Sequence, residues 1–310
     1  MRKQSLKSVH ELARTSEQVV FIGSDLGAGT LEDMRAELPS QWYMEGVSEQ
    51  HIIGMAAGLA MEGFIPYVNT IATFLTRRCF EQVSIDLGLH QLPVRLIGNG
   101  GGVVYAPLGP THQAIEDIAI MRAIPNMTVV VPCDATEMDY AIRASIELPG
   151  PVYFRVAKGG DPHLGHDLAE FSIGKGITVR SGGDAAFLTT GVMAQRALAA
   201  AEKLATLGIS CGVHHFHTVK PIDVELLESL APQVPLMMTV EEHCRVGGLG
   251  SAVLETLNDR NLETFTRLIR VGLRDEFIDD YGSQDSLLAQ AGLTSDNLVS
   301  LVRAQLSHKS

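Results

Sequence analysis

The sequence predicts an α/β protein of two domains, and three observations carry that prediction. Short apolar runs such as VVFIG at residues 19–23 alternate along the chain with longer segments of helical periodicity. Glycine is frequent (30 residues) and aromatics make up only 5%, a balance that suits strands and helices joined by tight loops. The third is size: 310 residues with 45% apolar content suffice for two cores of about 150 residues each.

Taken in order, residues 5–15 read as an amphipathic helix and residues 19–23 as a buried strand that opens into the loop SDLGAGT. Asp25 stands just past that strand. Ligands of open α/β sheets gather at the carboxyl ends of the strands, so Asp25 is either a site residue or a turn-forming acid. Residues 45–62, EGVSEQHIIGMAAGLAME, predict a helix buried almost all round, entered through Glu49. A carboxylate there has little water, so Glu49 is either a first-turn acid matched to the helix dipole behind a Ser48 N-cap, or a working acid. Residues 65–68 form the next strand and residues 74–89 a long helix, on which Phe74, Arg77 and Phe80 lie close to one face. Residues 94–98 make a third strand that leads into NGGGVVYAPLGPTHQ. The glycines at 98–102 lack a nucleotide-binding spacing and predict close approach of a ligand or another chain. His112 precedes a helix over residues 113–122 that points its imidazole into the cleft, where a ring titrating near neutrality suits proton movement.

A strand at 128–131, the capped helix after PCD and a strand at 151–156 complete the first domain, and the polar stretch 158–171 reads as a linker. The second domain has strands near 185–189, 209–214, 236–240 and 267–271, with helices near 194–207, 222–230, 247–257 and 296–306. Strand alternation splits His214, His215 and His217 between faces, which argues against a metal there, and Glu241 and Glu242 read as structural or interfacial.

The net charge of −12 argues against nucleic acid or an anionic membrane surface as partner. Cys79, Cys133, Cys211 and Cys244 are scattered, without metal or disulfide spacing, and a reducing cytoplasm is the expectation. The basic amino terminus has no apolar stretch behind it, so no secretory signal is read, and no run approaches the length of a membrane span.

Five motifs in fixed order, GVSEQH, PYVNTIATFLTRRCFEQV, LGPTHQAIEDIAIMRAIPNMTVVVPCD, GPVYFR and TVEEHCRVGGLGSAV, make nearly the whole chain resemble the pyrimidine-binding and carboxy-terminal regions of transketolases. The same region of 1-deoxyxylulose-5-phosphate synthases is similar, and the beta subunits of 2-oxoacid dehydrogenases are more distant. The resemblance implies a thiamine-diphosphate-binding fold, a parallel sheet with helices on both faces, over residues 1–165, followed by a transketolase C-terminal-like α/β domain over 172–310. It implies that Glu49 hydrogen-bonds the cofactor's pyrimidine nitrogen, a role suited to the dry environment that Ile52, Ile53, Met55 and Ala56 supply. Asp25 would lie on the thiazolium side, and Phe74 and Phe80 would hold the ring. Arg77 stands where transketolases carry an aromatic and follows the synthase pattern. His112 would meet donor oxygens, with Arg2 and Lys158 on distal anionic groups, the lysine as a point charge where transketolases have an arginine.

The family's GDG motif and following Asn, which hold magnesium and the diphosphate, have no counterpart in the sequence. A separate larger subunit carrying that half, in an α2β2 assembly, is therefore the expected partner, and Mg²⁺ is expected on that subunit rather than on this one. Leu108 replaces an Asp that reads a substrate hydroxyl, and Gly29 and Gly100 replace a Ser and a His on phosphate, which favours a less hydroxylated or less phosphorylated acceptor. Ile71 lacks the synthase's Tyr and Gly101 its Arg, so that activity is not assigned. The expected reaction is transfer of a two-carbon ketol unit. The alternatives are 2-oxoacid decarboxylation with acyloin formation or acyl transfer, and a non-catalytic scaffold.

Overall fold

The computed structural model describes residues 1–24, 31–165, 168–169, 171–263 and 266–307. In chain order the elements are α1 (Arg2–Ala13), β1 (Val19–Gly23), α2 (Glu32–Glu37), β2 (Trp42–Met44), α3 (Glu49–Met61), β3 (Ile65–Ile71), α4 (Ala72–Thr76), α5 (Phe80–Gln82), β4 (Arg95–Asn99), α6 (Asp117–Ala123), β5 (Thr128–Val130), α7 (Ala135–Ser145) and β6 (Val152–Val156). They continue with β7 (Ile177–Arg180), β8 (Ala185–Thr189), α8 (Met193–Thr206), β9 (Cys211–His215), β10 (Thr218–Lys220), α9 (Val224–Leu230), β11 (Leu236–Cys244), α10 (Leu249–Asp259), β12 (Arg267–Leu273), α11 (Gln284–Gln290) and α12 (Ser295–Ser307).

Among the described residues these strands form a sheet of order β10-β5-β6-β4-β3-β1-β2 and a second of order β12-β11-β8-β9-β7. Pairing is parallel except at β10 and β7. Strands β1, β4 and β6 are buried at every position, as expected where both faces of a parallel sheet are covered. One core layer joins Ile52, Ile53, Ala56 and Ala57 of α3 to Val68 and Leu96, and another packs α1 and α7 on the opposite face.

Three predicted features differ, and one strand was not predicted. Helix α3 is not buried all round: Ile52, Ile53, Ala56, Ala57 and Ala60 face the core, while Gln50, Gly54, Gly58 and Met61 are exposed along one stripe. Its apolar composition therefore reports a core face plus an exposed small-residue face. The helix predicted over 74–89 is broken. α4 ends at Thr76, residues 77–79 form a turn, α5 is one turn long, and Val83–Leu89 is π-helical. Helix α6 begins at Asp117 rather than at residue 113, because residues 102 and 114 pair with each other as an isolated antiparallel bridge. Finally, β10 of the second half completes the first sheet by pairing with β5, a tertiary contact that a three-residue strand gives no local signal for.

Chain direction places the strand ends β2, β1, β3 and β4 side by side. Buried polar groups tie them there: Ser24 Oγ donates to Thr70 Oγ1 at 2.9 Å, and Asn99 Nδ2 donates to Asn69 Oδ1 at 2.7 Å and to the Thr70 carbonyl at 3.0 Å.

In the second sheet, His214 is buried with Nδ1 3.0 Å from Thr178 Oγ1, and desolvation pushes its imidazole down to about 4. An unfolded imidazole titrates at about 6.5. Between those values the unfolded chain takes up a proton that the folded chain excludes, so this residue's contribution is complete above 6.5 and lost as pH falls toward 4. His214→Gln is expected to reduce the acid sensitivity of folding by roughly 2–3 kcal/mol between about pH 7 and pH 4.5. Urea unfolding at both pH values checks it, and equal acid sensitivity in the two proteins would count against it.

Candidate active site

Segments leaving the carboxyl ends of β2, β3 and β4, with β1 between the first two in the sheet, deliver the chemistry-bearing side chains. The segment after β2 carries Glu49, the first residue of α3 and only 4% exposed. The Ser48 hydroxyl does not cap the helix; its Oγ donates to the Glu45 carbonyl at 3.0 Å instead. The helix that follows β3 directly carries Phe74, and the turn after it carries Arg77 and Arg78. The loop after β4 carries His112.

Their side chains form a connected series. Arg78 Nη1 donates to Glu49 Oε2 at 2.6 Å, and the Arg78 guanidinium carbon lies 4.3 Å from the centre of the Phe74 ring. Phe74 in turn meets the His112 imidazole edge-on, with centroids 5.2 Å apart at 65°. His112 Nδ1 lies 2.9 Å from Thr111 Oγ1, which leaves Nε2 as the ring's second proton-exchanging atom. Glu49, Phe74 and His112 are thus brought together. Arg78 is the member that sequence reasoning missed, although an Arg four residues after a Phe is a recognisable cation–π spacing. Beneath them, burial and the nearby Glu49 carboxylate push the Cys79 thiol up to about 12, so it serves as packing.

Arg77 has a different position from the one expected of a ring contact. Its Nε pairs with Glu116 at 3.2 Å, and Nη2 donates to the carbonyls of Thr111 and Gln113 at 3.3 Å each, so it braces the His112 loop from both flanks. Phe80 sits on α5 beyond the turn and is 42% exposed. Leu108 is 50% exposed at the end of a short 3-10 turn. Asp25 and Gly29 lie outside the described residues. Arg2 and Lys158 line one cleft of about 530 Å³ together with Met1, Lys3, Gly159 and Gly160, which makes a cationic wall. A cleft lined by Arg2, Lys3 and Lys158 suits an anionic group.

The glycine run is filled by the chain itself rather than by a ligand. A Cβ on Gly100 would lie 2.0 Å from the Tyr105 ring, one on Gly101 2.3 Å from Arg155 Nε, and one on Gly102 2.5 Å from Glu242 Oε1. Glu242, from β11, accepts from the Val103 amide at 2.8 Å and from Gln284 Nε2 at 3.0 and 2.9 Å. Arg155, buried on β6, pairs with Asp117 at 2.9 Å and donates to the carbonyls of Ala114 and Glu242 at 3.0 and 2.8 Å, while the Tyr153 hydroxyl donates to Asp117 at 2.7 Å. Burial pushes Glu242 up to about 6. Glu242 of the second domain and Arg155 of the first therefore fix the two ends of the loop that carries His112.

Glu241 caps α10, accepting from the amides of Leu249 and Gly250 at 2.7 and 2.8 Å, and burial pushes it up to about 7. His243 Nε2 accepts from the Ala119 amide at 3.3 Å and Nδ1 faces the Cys244 carbonyl at 2.6 Å, an arrangement that requires a neutral Nδ1–H ring. Its pKa is pushed down to about 4 by burial.

This geometry suits a planar cofactor ring. The Arg78 guanidinium is itself a flat, N–H-donating amidine-like group that donates to Glu49 while lying over Phe74. A pyrimidine that shares a proton at its ring nitrogen offers the same two features, so the carboxylate acceptor and the aromatic face fit one. A hard divalent cation finds no such fit: among the described residues the His, Cys, Asp and Glu side chains close enough to share an ion are Cys133, Glu137 and His215. These are buried, Glu137 Oε2 already accepts from the Cys133 amide and meets His215 Nε2 at 3.0 Å, and they supply a thiol and an imidazole where Mg²⁺ prefers oxygens.

Comparison with known proteins agrees with this layout. The family described as "Transketolase, pyrimidine binding domain" matches residues 1–160, and "Transketolase, C-terminal domain" matches residues 174–298. An apulose-4-phosphate transketolase subunit from Phocaeicola vulgatus is 36% identical over 299 residues, 96% of this chain and 94% of that one. A 1-deoxy-D-xylulose-5-phosphate synthase of Syntrophotalea carbinolica is 37% identical over 302 residues; the match takes in 96% of this chain but only 46% of that enzyme. Among solved structures, a split-gene transketolase described as an inactive beta4 tetramer superposes with a TM-score of 0.90 at 34% identity, covering 99% of this chain and 98% of the other.

Proposed function

The chain belongs to the transketolase family, and on that premise we propose that it is the smaller subunit of a two-polypeptide transketolase, moving a two-carbon ketol unit from a ketose donor to an aldehyde acceptor. The observation that carries this reading is the convergence of a buried carboxylate, an aromatic face and an imidazole at the carboxyl ends of one run of parallel strands. When bound, thiamine diphosphate supplies the nucleophilic carbon and the electron sink. Glu49 would hold the pyrimidine nitrogen and share a proton with it at Oε2. Phe74 would stack on the ring, and Phe80 is assigned its outer edge. Asp25 is assigned to the thiazolium side. His112, steadied at Nδ1 by Thr111, would exchange a proton with donor oxygens through Nε2. Arg2 and Lys158 would hold the distal anionic group in their common cleft, and Leu108 would border the acceptor.

We assign residues 1–165 to the pyrimidine-binding domain and 172–310 to the carboxy-terminal domain. We assign the diphosphate and its Mg²⁺ to a separate larger subunit in an α2β2 complex, a reading supported by relatives that are themselves subunits of split transketolases. The four cysteines are free and buried, which suits the cytoplasm, and among the described residues no helix is long and apolar enough to cross a membrane.

Titration of thiamine diphosphate is the test. The chain plus its partner is expected to saturate, while the chain alone shows no saturation over the same range. A partner that binds the cofactor equally well without this chain would instead identify a scaffold. Offering xylulose 5-phosphate or pyruvate as donor separates ketol transfer from 2-oxoacid decarboxylation.

A further inference from the structure

Arg78 belongs to none of the roles above, yet it touches both groups assigned to the ring. Its Nη1 donates to Glu49 Oε2 at 2.6 Å and its guanidinium carbon lies over the Phe74 ring, 4.3 Å from the ring centre. The two partners differ sharply in burial: Glu49 is 4% exposed, whereas the Arg78 side chain is 44% exposed. A buried acid is fixed in place by its surroundings, and a half-exposed arginine can rotate into solvent at little cost. The backbone that carries Arg78 is itself held, because Gln50 Nε2 donates to the Arg78 carbonyl at 3.1 Å and Cys79 Sγ donates to the Phe74 carbonyl at 3.4 Å. Movement is therefore confined to the side chain. The break between α4 and α5 places this residue in a turn, so its departure disturbs no helix.

We propose that Arg78 is an internal stand-in for the cofactor ring: it holds Glu49 and Phe74 in their paired arrangement until a pyrimidine takes its place, and it must swing outward for the ring to enter. This rests on the cofactor reading given above. A guanidinium is the side chain best suited to the part, being flat, able to stack on an aromatic face and rich in N–H donors directed in its own plane. Such a stand-in keeps a buried carboxylate paired, where leaving it unpaired would be costly. It also competes with the cofactor, so the apparent affinity of the complex is lower than the site's intrinsic affinity by the fraction of molecules in which Arg78 occupies the ring position.

The experiment is calorimetric titration of thiamine diphosphate into the reconstituted complex carrying wild-type chain, Arg78→Ala, Arg78→Lys or Glu49→Gln, each first checked for folding by circular dichroism and for assembly by gel filtration. Arg78→Ala is expected to bind on the order of 5- to 30-fold more tightly than wild type, the range that loss of one half-exposed ion pair and one cation–π contact predicts. Arg78→Lys keeps the charge but cannot cover the ring, and is expected to fall between the two. Stopped-flow mixing should show faster association for Arg78→Ala. Affinity that is unchanged or weaker in Arg78→Ala overturns the proposal, since it would make Arg78 a bystander or a cofactor ligand. If wild type binds and Glu49→Gln alters that binding while Arg78→Ala does not tighten it, the stand-in fails and the cofactor reading stands. If neither wild type nor Arg78→Ala binds, both fail.

Discussion

Glu49→Gln is expected to reduce turnover of the reconstituted complex by at least about 10²- to 10⁴-fold, the range removed with a general acid or base. The amide matches the carboxylate in shape and still reaches Arg78, so folding should change by no more than roughly 1 kcal/mol, the value of an ion pair with a half-exposed partner. Loss of rate with thermal unfolding and partner assembly preserved therefore isolates proton sharing at Oε2 from a structural effect. A steady-state assay with xylulose 5-phosphate as donor measures it. A near-normal rate in the variant would remove Glu49 from the mechanism and leave it a first-turn helix acid.

The second large effect is expected on stability. Arg155→Ala leaves Asp117, which is fully buried, without its cation, and strips the carbonyls of Ala114 and Glu242 of their donor. Breaking a buried pair from one side costs about 3–5 kcal/mol, and guanidinium denaturation of the chain should show that loss. Arg155→Lys restores the charge without the fork that reaches Asp117 and two carbonyls together, so only part of the loss should return. Because Arg155 and Glu242 fasten residues 102–103 and 114, the His112 loop should loosen before the sheet does. Faster amide exchange at residues 103–114 than in β4 would register it. Equal exchange in both would make the network a general core contact rather than a loop anchor.

Arg155 also shows where reading the chain stopped short. GPVYFR was legible as a buried strand, but the strand pattern says nothing about which loop its terminal guanidinium clamps. The glycines at 100–102 were legible as a place of close approach. That Tyr105, Arg155 and Glu242 of the same chain make the approach is a matter of tertiary packing. The same holds for residues 74–89. Their periodicity is helical throughout, and the turn at 77–79 that separates Phe80 from Phe74 leaves no mark in the pattern. In α3 the apolar content was legible, but the exposure of Gly54 and Gly58 was not, because glycine counts alike toward a buried or an open face.

The sequence by itself determined the α/β class, most strand positions and the residues at which chemistry was to be sought, since these follow from the spacing of apolar side chains over a few residues and from motif order. The tertiary structure alone decided which of those residues meet. Glu49 finds Arg78 across 29 positions, and Val103 finds Glu242 across 139. Contacts of that separation are set by how parallel strands stack and where their carboxyl ends fall, and local periodicity does not encode that arrangement.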